Sequence, residues 1–229
     1  ALTATSAAEA ANFPFTTIEP NVGRVAVPDD RLEKISAISK SEKTVPTQLE
    51  FVDIAGLVQG ASRGEGLGNK FLANIREVDA IVHVLRCFED EGVTHVAGSV
   101  DPLRDAEIVE TELMLADLDS LERRVVALVK RARGGEREAK EAHAIAERTL
   151  EALRDGRPAR TVAVGEEEGK AFKGLQLLTA KPVLFVCNVE EDMTASGNLW
   201  SDRVIARAAE DGAEAVVISA RIEAEIAEI

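Results

Sequence analysis

The feature that most limits how this chain can fold is a rhythm of short apolar runs separated by helical stretches. Residues 49–54 (LEFVDI), 80–86 (AIVHVLR), 183–187 (VLFVC) and 215–219 (AVVIS) each carry a dense apolar run of strand length, and residues 22–27 form a weaker, earlier one. Runs this short and this apolar read as strands buried on both faces. Helical patterns lie between them at residues 31–39, 69–78 and 202–210. Strands alternating with helices predict an α/β fold built on a mainly parallel sheet.

One stretch breaks the rhythm. From residue 105 to about residue 155 the chain is rich in Ala, Glu, Leu and Arg and has no proline. Leu113, Leu115, Leu118, Leu121, Val125, Leu128 and Val129 recur at roughly helical spacing, Gly134 and Gly135 interrupt, and Ile145, Leu150 and Leu153 continue. This pattern predicts an antiparallel helical hairpin inserted into the α/β domain. The expected division is therefore 1–104 with 180–229 for the α/β domain and 105–179 for the inserted helical domain. Most charges on the hairpin read as a solvated helix face. The segment VKRARGG, 129–135, is its most basic part. Cations at a helix C-terminus complement the dipole, and docking on RNA or protein is the sharper alternative.

Charge narrows the function classes. With 41 acidic and 27 basic residues the formal net charge is −14. A chain this acidic does not as a whole attract nucleic acid or an anionic membrane, so DNA is not an expected partner and any nucleic-acid contact must be local. No apolar run approaches the roughly 18 residues a membrane span needs. The two cysteines, Cys87 and Cys187, lie far apart in sequence, form no CxxC and end apolar runs, which predicts buried, reduced thiols.

The chemistry concentrates at strand ends. In EFVDIAGL, 50–57, an apolar strand ends in Asp53 and Gly56 follows three positions later. A strand-end carboxylate is where P-loop NTPases hold Mg²⁺, and a glycine there lets backbone N–H approach a terminal phosphate. The glycine-rich segment VQGASRGEGLGN follows. Such a loop can order around a γ-phosphate and relax after hydrolysis. Upstream, Thr16 and Thr17 sit between Pro14 and Pro20, and a threonine hydroxyl is a hard ligand suited to Mg²⁺. Downstream, Asn188, Val189 and Glu191 follow one strand, and Ser219 and Ala220 end another. Open α/β sheets bind ligands at such C-terminal strand ends.

In this order, with the runs AANFPFTTIEPN, FVDIAGLVQGASRGEGLGNKFLANIRE, HVLRCFEDEGVTHVAGSVDPLRDAE and LTAKPVLFVCNVEE, the chain resembles the YchF, or Obg-like, ATPases over essentially its whole length. The resemblance implies a P-loop NTPase (G-domain) fold and hydrolysis of ATP, with GTP also used, to ADP and phosphate with Mg²⁺. It further implies a cytoplasmic regulator associated with the ribosome or translation machinery. It makes Thr17 the switch I threonine, with Thr16 as fallback. Asp53 and Gly56 become the Walker B and switch II pair, Asn188 and Glu191 the base-recognition NxxE, and Ser219 and Ala220 the last base-contacting motif.

Two departures from guanine-specific enzymes have physical content. Their NKxD motif places an Asp against guanine N1–H and the N2 amine, which adenine lacks. Here Val189 replaces the Lys and Glu191 the Asp, so guanine preference should weaken, while Asn188 can still donate to N7 of either purine. Leu57 stands where Ras-like enzymes carry a water-orienting Gln, and leucine cannot hydrogen-bond. His95, in the loop after the run 80–86, is the candidate replacement, and the resemblance also points to a histidine there. His83, inside a strand, reads as a core histidine.

No GxxxxGK[ST] segment occurs in the 229 residues. In the resembled family that loop joins the first strand to the first helix. The resemblance therefore implies that the chain starts inside that helix and stops before a small C-terminal TGS domain. Two other readings stay open: a non-catalytic protein- or RNA-binding piece, and a GTPase of the Obg or DRG type, against which the missing NKxD argues.

Overall fold

Every strand run read from the sequence becomes a strand, but the strands fall into two sheets. The computed structural model describes residues 21–54, 67–89 and 99–227. It divides into two compact units, Ala1–Gly56 with Ala220–Ile229, and Leu57–Ser219.

In the first unit, β1 (Asn21–Ala26) and β2 (Gln48–Asp53) pair antiparallel, with Asn21 opposite Asp53. The direct cross-strand partners Arg24 and Glu50 form an ion pair at 2.7 Å. Strand and helix alternation suggested a mainly parallel sheet; this pair is the antiparallel part, and the three strands of the second unit are parallel. Helix α1 (Asp30–Ser39) lies between the two strands in sequence. It starts because the Asp29 carboxylate accepts the Arg31 N–H, and ends at Lys40 in the left-handed region, φ 52°. Helix α7 (Ala220–Ala227) closes the unit in sequence, and neither α1 nor α7 contains a buried residue.

The second unit opens with α2 (Leu67–Glu77) and carries a parallel sheet in the order β3 (Ile81–Arg86), β4 (Val183–Asn188), β5 (Glu214–Ile218). Ile81 pairs with Val183 and Arg86 with Asn188; Asn188 pairs with Ile218. Leu85, Cys87, Phe185, Cys187, Val189, Val204 and Ala208 form the buried core on one sheet face, with α3 (Pro102–Arg133) and α6 (Leu199–Glu210) contributing Leu103, Ala106 and Trp200 around it. A cavity of about 40 Å³ remains there, bordered by His83, Phe185, Ala106 and Val204.

Between β3 and β4 the chain makes helix α3 (Pro102–Arg133), helix α4 (Arg137–Arg154) and the short α5 (Gly169–Gly174). α3 begins three residues before its apolar stripe predicted. Asp101 caps it by accepting the Arg104 N–H, and Pro102, which lacks an N–H to satisfy, takes the first turn. Gly135, at φ +91°, supplies the turn into α4. Leu121, Val125, Ile145, Leu150 and Leu153 interlock between α3 and α4, and Leu175 and Leu177 join them. α3 thus contributes to both cores.

One buried polar network holds the hairpin to the chain returning toward β4. Asp117, 1% exposed, accepts the N–H groups of Leu178 and Thr179, both at 2.8 Å, and the Thr179 hydroxyl at 2.7 Å. Thr179 Oγ1 in turn accepts the Ala159 N–H at 3.0 Å. Burial raises the Asp117 carboxyl above its usual range, and these hydrogen bonds oppose that.

Candidate functional site

The C-terminal ends of β4 and β5 bring two of the sequence-derived motifs side by side. Asn188 ends β4 and is the register partner of Ile218, so Ser219 directly follows the residue opposite Asn188. Two backbone bonds tie this edge together: Cys87 N–H donates to the Asn188 carbonyl at 2.8 Å, and Val189 N–H donates to the Ile218 carbonyl at 2.9 Å. Asn188 is half-buried, and Glu191 is exposed at the start of the 3₁₀ turn Glu191–Met193. The Thr194 hydroxyl donates to the Glu191 carbonyl at 2.9 Å and holds that turn. Asn188 and Glu191 thus leave the sheet on a short, braced segment.

Val189 and Ser219 are placed differently from a surface contact. Val189 is 3% exposed and packs among Leu85, Cys187 and Val204, so its side chain fills the core. Ser219 is 2% exposed. Ala220 opens α7. Asp53 is the last residue of β2, exposed, in the first unit. Thr16, Thr17, Gly56, Leu57 and His95 lie outside the described residues. Among the described residues no group of three or more His, Cys, Asp or Glu is placed to hold a metal ion. Asp53 offers an exposed carboxylate at the C-terminal end of β2, a donor that suits Mg²⁺.

The sequence reading passed over Asn198. It caps α6: its Oδ1 accepts the N–H groups of Trp200 and Ser201, both at 3.0 Å. Its Nδ2 donates to the Cys87 carbonyl at 2.7 Å, fastening the start of α6 to the end of β3. Gly197 makes room, since a Cβ there would lie 2.7 Å from Ser201 Oγ, and its φ is +70°. The pattern Gly-Asn before an apolar residue was the available signal, as a helix cap; the reach to Cys87 was not.

The two cysteines are free and buried, and both belong to the sheet core. The neighbouring Cys187 thiol and burial push the Cys87 thiol above its usual range, while the hydrogen bond with Cys87 lowers Cys187 against the opposing effect of burial. His83 lies against the Phe185 ring, centroids 5.9 Å apart, and burial lowers its pKa to about 4. A histidine kept neutral beneath a helix is a core group, as its place inside a strand implied. No helix among the described residues is long and apolar enough to cross a membrane.

Comparison with known proteins agrees with this architecture. The family described as "50S ribosome-binding GTPase" matches residues 1–131. The chain is 53% identical over 221 residues to the ribosome-binding ATPase YchF of Haemophilus influenzae, covering 96% of this chain and 61% of that protein. It is 50% identical over 224 residues to the protein of the same name from Bacillus subtilis, covering 97% and 61%. The solved Schizosaccharomyces pombe YchF GTPase superposes with a TM-score of 0.76 at 35% identity, covering 100% of this chain and 63% of that one. The chain thus spans about three fifths of the length of these relatives. The fold is that of a P-loop GTPase, a mixed α/β architecture with a parallel sheet and a high helical content. The chain belongs to the 50S ribosome-binding GTPase family, in its YchF group.

Proposed function

We propose that these residues form most of the nucleotide-binding domain of a ribosome-associated ATPase that hydrolyses ATP, and also GTP, to the diphosphate and phosphate. The observation that carries this reading is the pairing of the two base-recognition segments at one sheet edge, Asn188 at the end of β4 and Ser219 after β5. Asn188 donates to the purine N7. Val189 offers no lysine to the base because it is turned into the core. Glu191, one methylene longer than the Asp of guanine-specific sites, cannot take both guanine donors in the same geometry. The bacterial relatives are named ATPases and the fission-yeast structure is titled a GTPase, so base preference is the point to test.

For the phosphate end, Asp53 and Thr17 are the oxygen donors for Mg²⁺, which would polarise the terminal phosphate. Gly56 lets the backbone approach that phosphate, and His95 orients the attacking water in place of the residue that Leu57 cannot be. Residues 1–104 and 180–229 form the nucleotide domain and 105–179 the insertion. The relatives' names point to the ribosome as partner.

Calorimetry of ATP and GTP against the full-length protein tests the reading. ATP should bind at least as tightly as GTP, and Asn188→Ala should weaken both by about tenfold, the worth of one good base hydrogen bond. Clear GTP preference in the parent protein would overturn the assignment of Val189 and Glu191. Unchanged affinity in Asn188→Ala would overturn the assignment of the edge.

A further inference from the structure

The turn between α3 and α4 concentrates positive charge on a chain that is otherwise strongly acidic. Residues 130–141 contain Lys130, Arg131, Arg133, Arg137 and Lys140 against Glu136, Glu138 and Glu141, a local charge of +2 in a chain of −14. All five cations are exposed. The charges of α3 are segregated along its length: residues 105–119 carry six acidic and no basic residues, residues 123–133 five basic and no acidic.

Helix-end electrostatics explain only part of this. The dipole favours Lys130, Arg131 and Arg133 in the last turn of α3. It disfavours Arg137 and Lys140, which stand at the start of α4, where acidic residues are stabilised instead. Each acidic group of the turn is already engaged. Glu136 pairs with Arg131 at 2.7 Å, Glu141 with Arg137 at 2.9 Å, and Glu138 with Lys170 at 3.7 Å. Lys130, Arg133 and Lys140 are left with no ion pair among the described residues. No buried residue of α3 lies beyond Val125, and the only large apolar side chain exposed there is Val126. A protein partner would want an apolar centre; a row of unpaired cations with one valine fits phosphates.

We propose that the α3–α4 turn binds the phosphate backbone of structured RNA through Lys130, Arg133 and Lys140, with Arg131 and Arg137 reinforcing the field. The proposal rests on the ribosome-associated reading and names the surface and the chemistry of the contact. The acidic remainder of the chain repels the same polyanion and so orients the molecule turn-first.

The test is fluorescence anisotropy of a labelled RNA hairpin against full-length protein between about 50 and 200 mM salt, with ATP turnover measured in parallel. The triple variant Lys130→Glu, Arg133→Glu, Lys140→Glu should raise Kd at least about tenfold and lower the log–log salt slope by about 2. The triple Gln variant should fall between it and the parent. Arg203→Glu, on α6, should change neither quantity, and thermal unfolding should show all variants folded. RNA binding with unchanged Kd and slope in the Glu triple variant overturns the proposal, as does failure of the parent protein to bind RNA. Displacement of the RNA by polyglutamate would mean an acidic protein is the partner, and also overturns it. ATP turnover should be the same in parent and variants. Its absence in the parent would remove the catalytic reading and leave the RNA result standing.

Discussion

His83 shows most directly how a single residue's surroundings decide its role. Its imidazole sits between β3 and α3 against Phe185, and burial lowers its pKa to about 4. The unfolded chain binds a proton near the ordinary histidine pKa of about 6.5. Below that pH the unfolded state therefore gains protons that the folded state does not. The stabilisation from keeping His83 neutral is full above the unfolded value and is lost as pH falls toward 4. Between pH 7 and pH 5 this amounts to about 2 kcal/mol. Urea unfolding at the two pH values should show that loss in the parent chain and a flattened response in His83→Phe. Equal losses in both would assign the pH dependence elsewhere. Position within an apolar strand run was enough to separate this histidine from a catalytic one. Val189 was legible in the same way as the absence of a lysine, but its burial follows from the packing of α6, which no local pattern records.

At the level of elements, Asp117 fixes how α3 meets the returning chain. It lies on the apolar side of α3 and reads in sequence as one more charge on a helix face. The structure gives it three donors from Leu178 and Thr179. Asp117→Ala would strand those donors in a dry environment and should cost about 3 kcal/mol or more. Asp117→Asn should recover only part, because its amide turns one acceptor into a donor. Denaturant midpoints of the two variants check both statements; a loss below about 1 kcal/mol for Ala would mean water replaces the carboxylate. Such partners lie about sixty residues apart in sequence, so periodicity could not show them. Strand and helix identities were legible because apolar runs and stripes are local. Boundaries slipped where caps govern them: α6 begins at Leu199 under the Asn198 cap, earlier than the expected residue 202. The antiparallel β1–β2 pair was not legible either, since strand direction depends on which neighbours are present and not on spacing.

Across the whole molecule, burial is uneven. α1 and α7 hold no buried residue, and Ile35, Ile38, Val45 and Leu49 of the first unit are exposed. The second unit holds both cores, with Leu121, Ile145, Leu178 and Val204 almost fully buried. Local opening is cheapest where few apolar contacts must be broken. Hydrogen exchange should therefore be fastest in β1, α1 and β2, and slowest in β4 and the facing halves of α3 and α4. Comparable protection in the two units would show that the first is held by contacts its described residues do not make.

The length of α3 has a mechanical consequence. Its first turns pack on the sheet core and its later turns pack in the hairpin core with α4, so the helix behaves as a stiff lever of about 48 Å. A tilt of about 5° at the sheet end carries the far end through about 4 Å, given a rise of 1.5 Å per residue. A displacement too small to disturb packing beside β3 would still move Lys130 and Arg133 by more than half the spacing between neighbouring phosphates. Motion at the hub is thus read out at the rim.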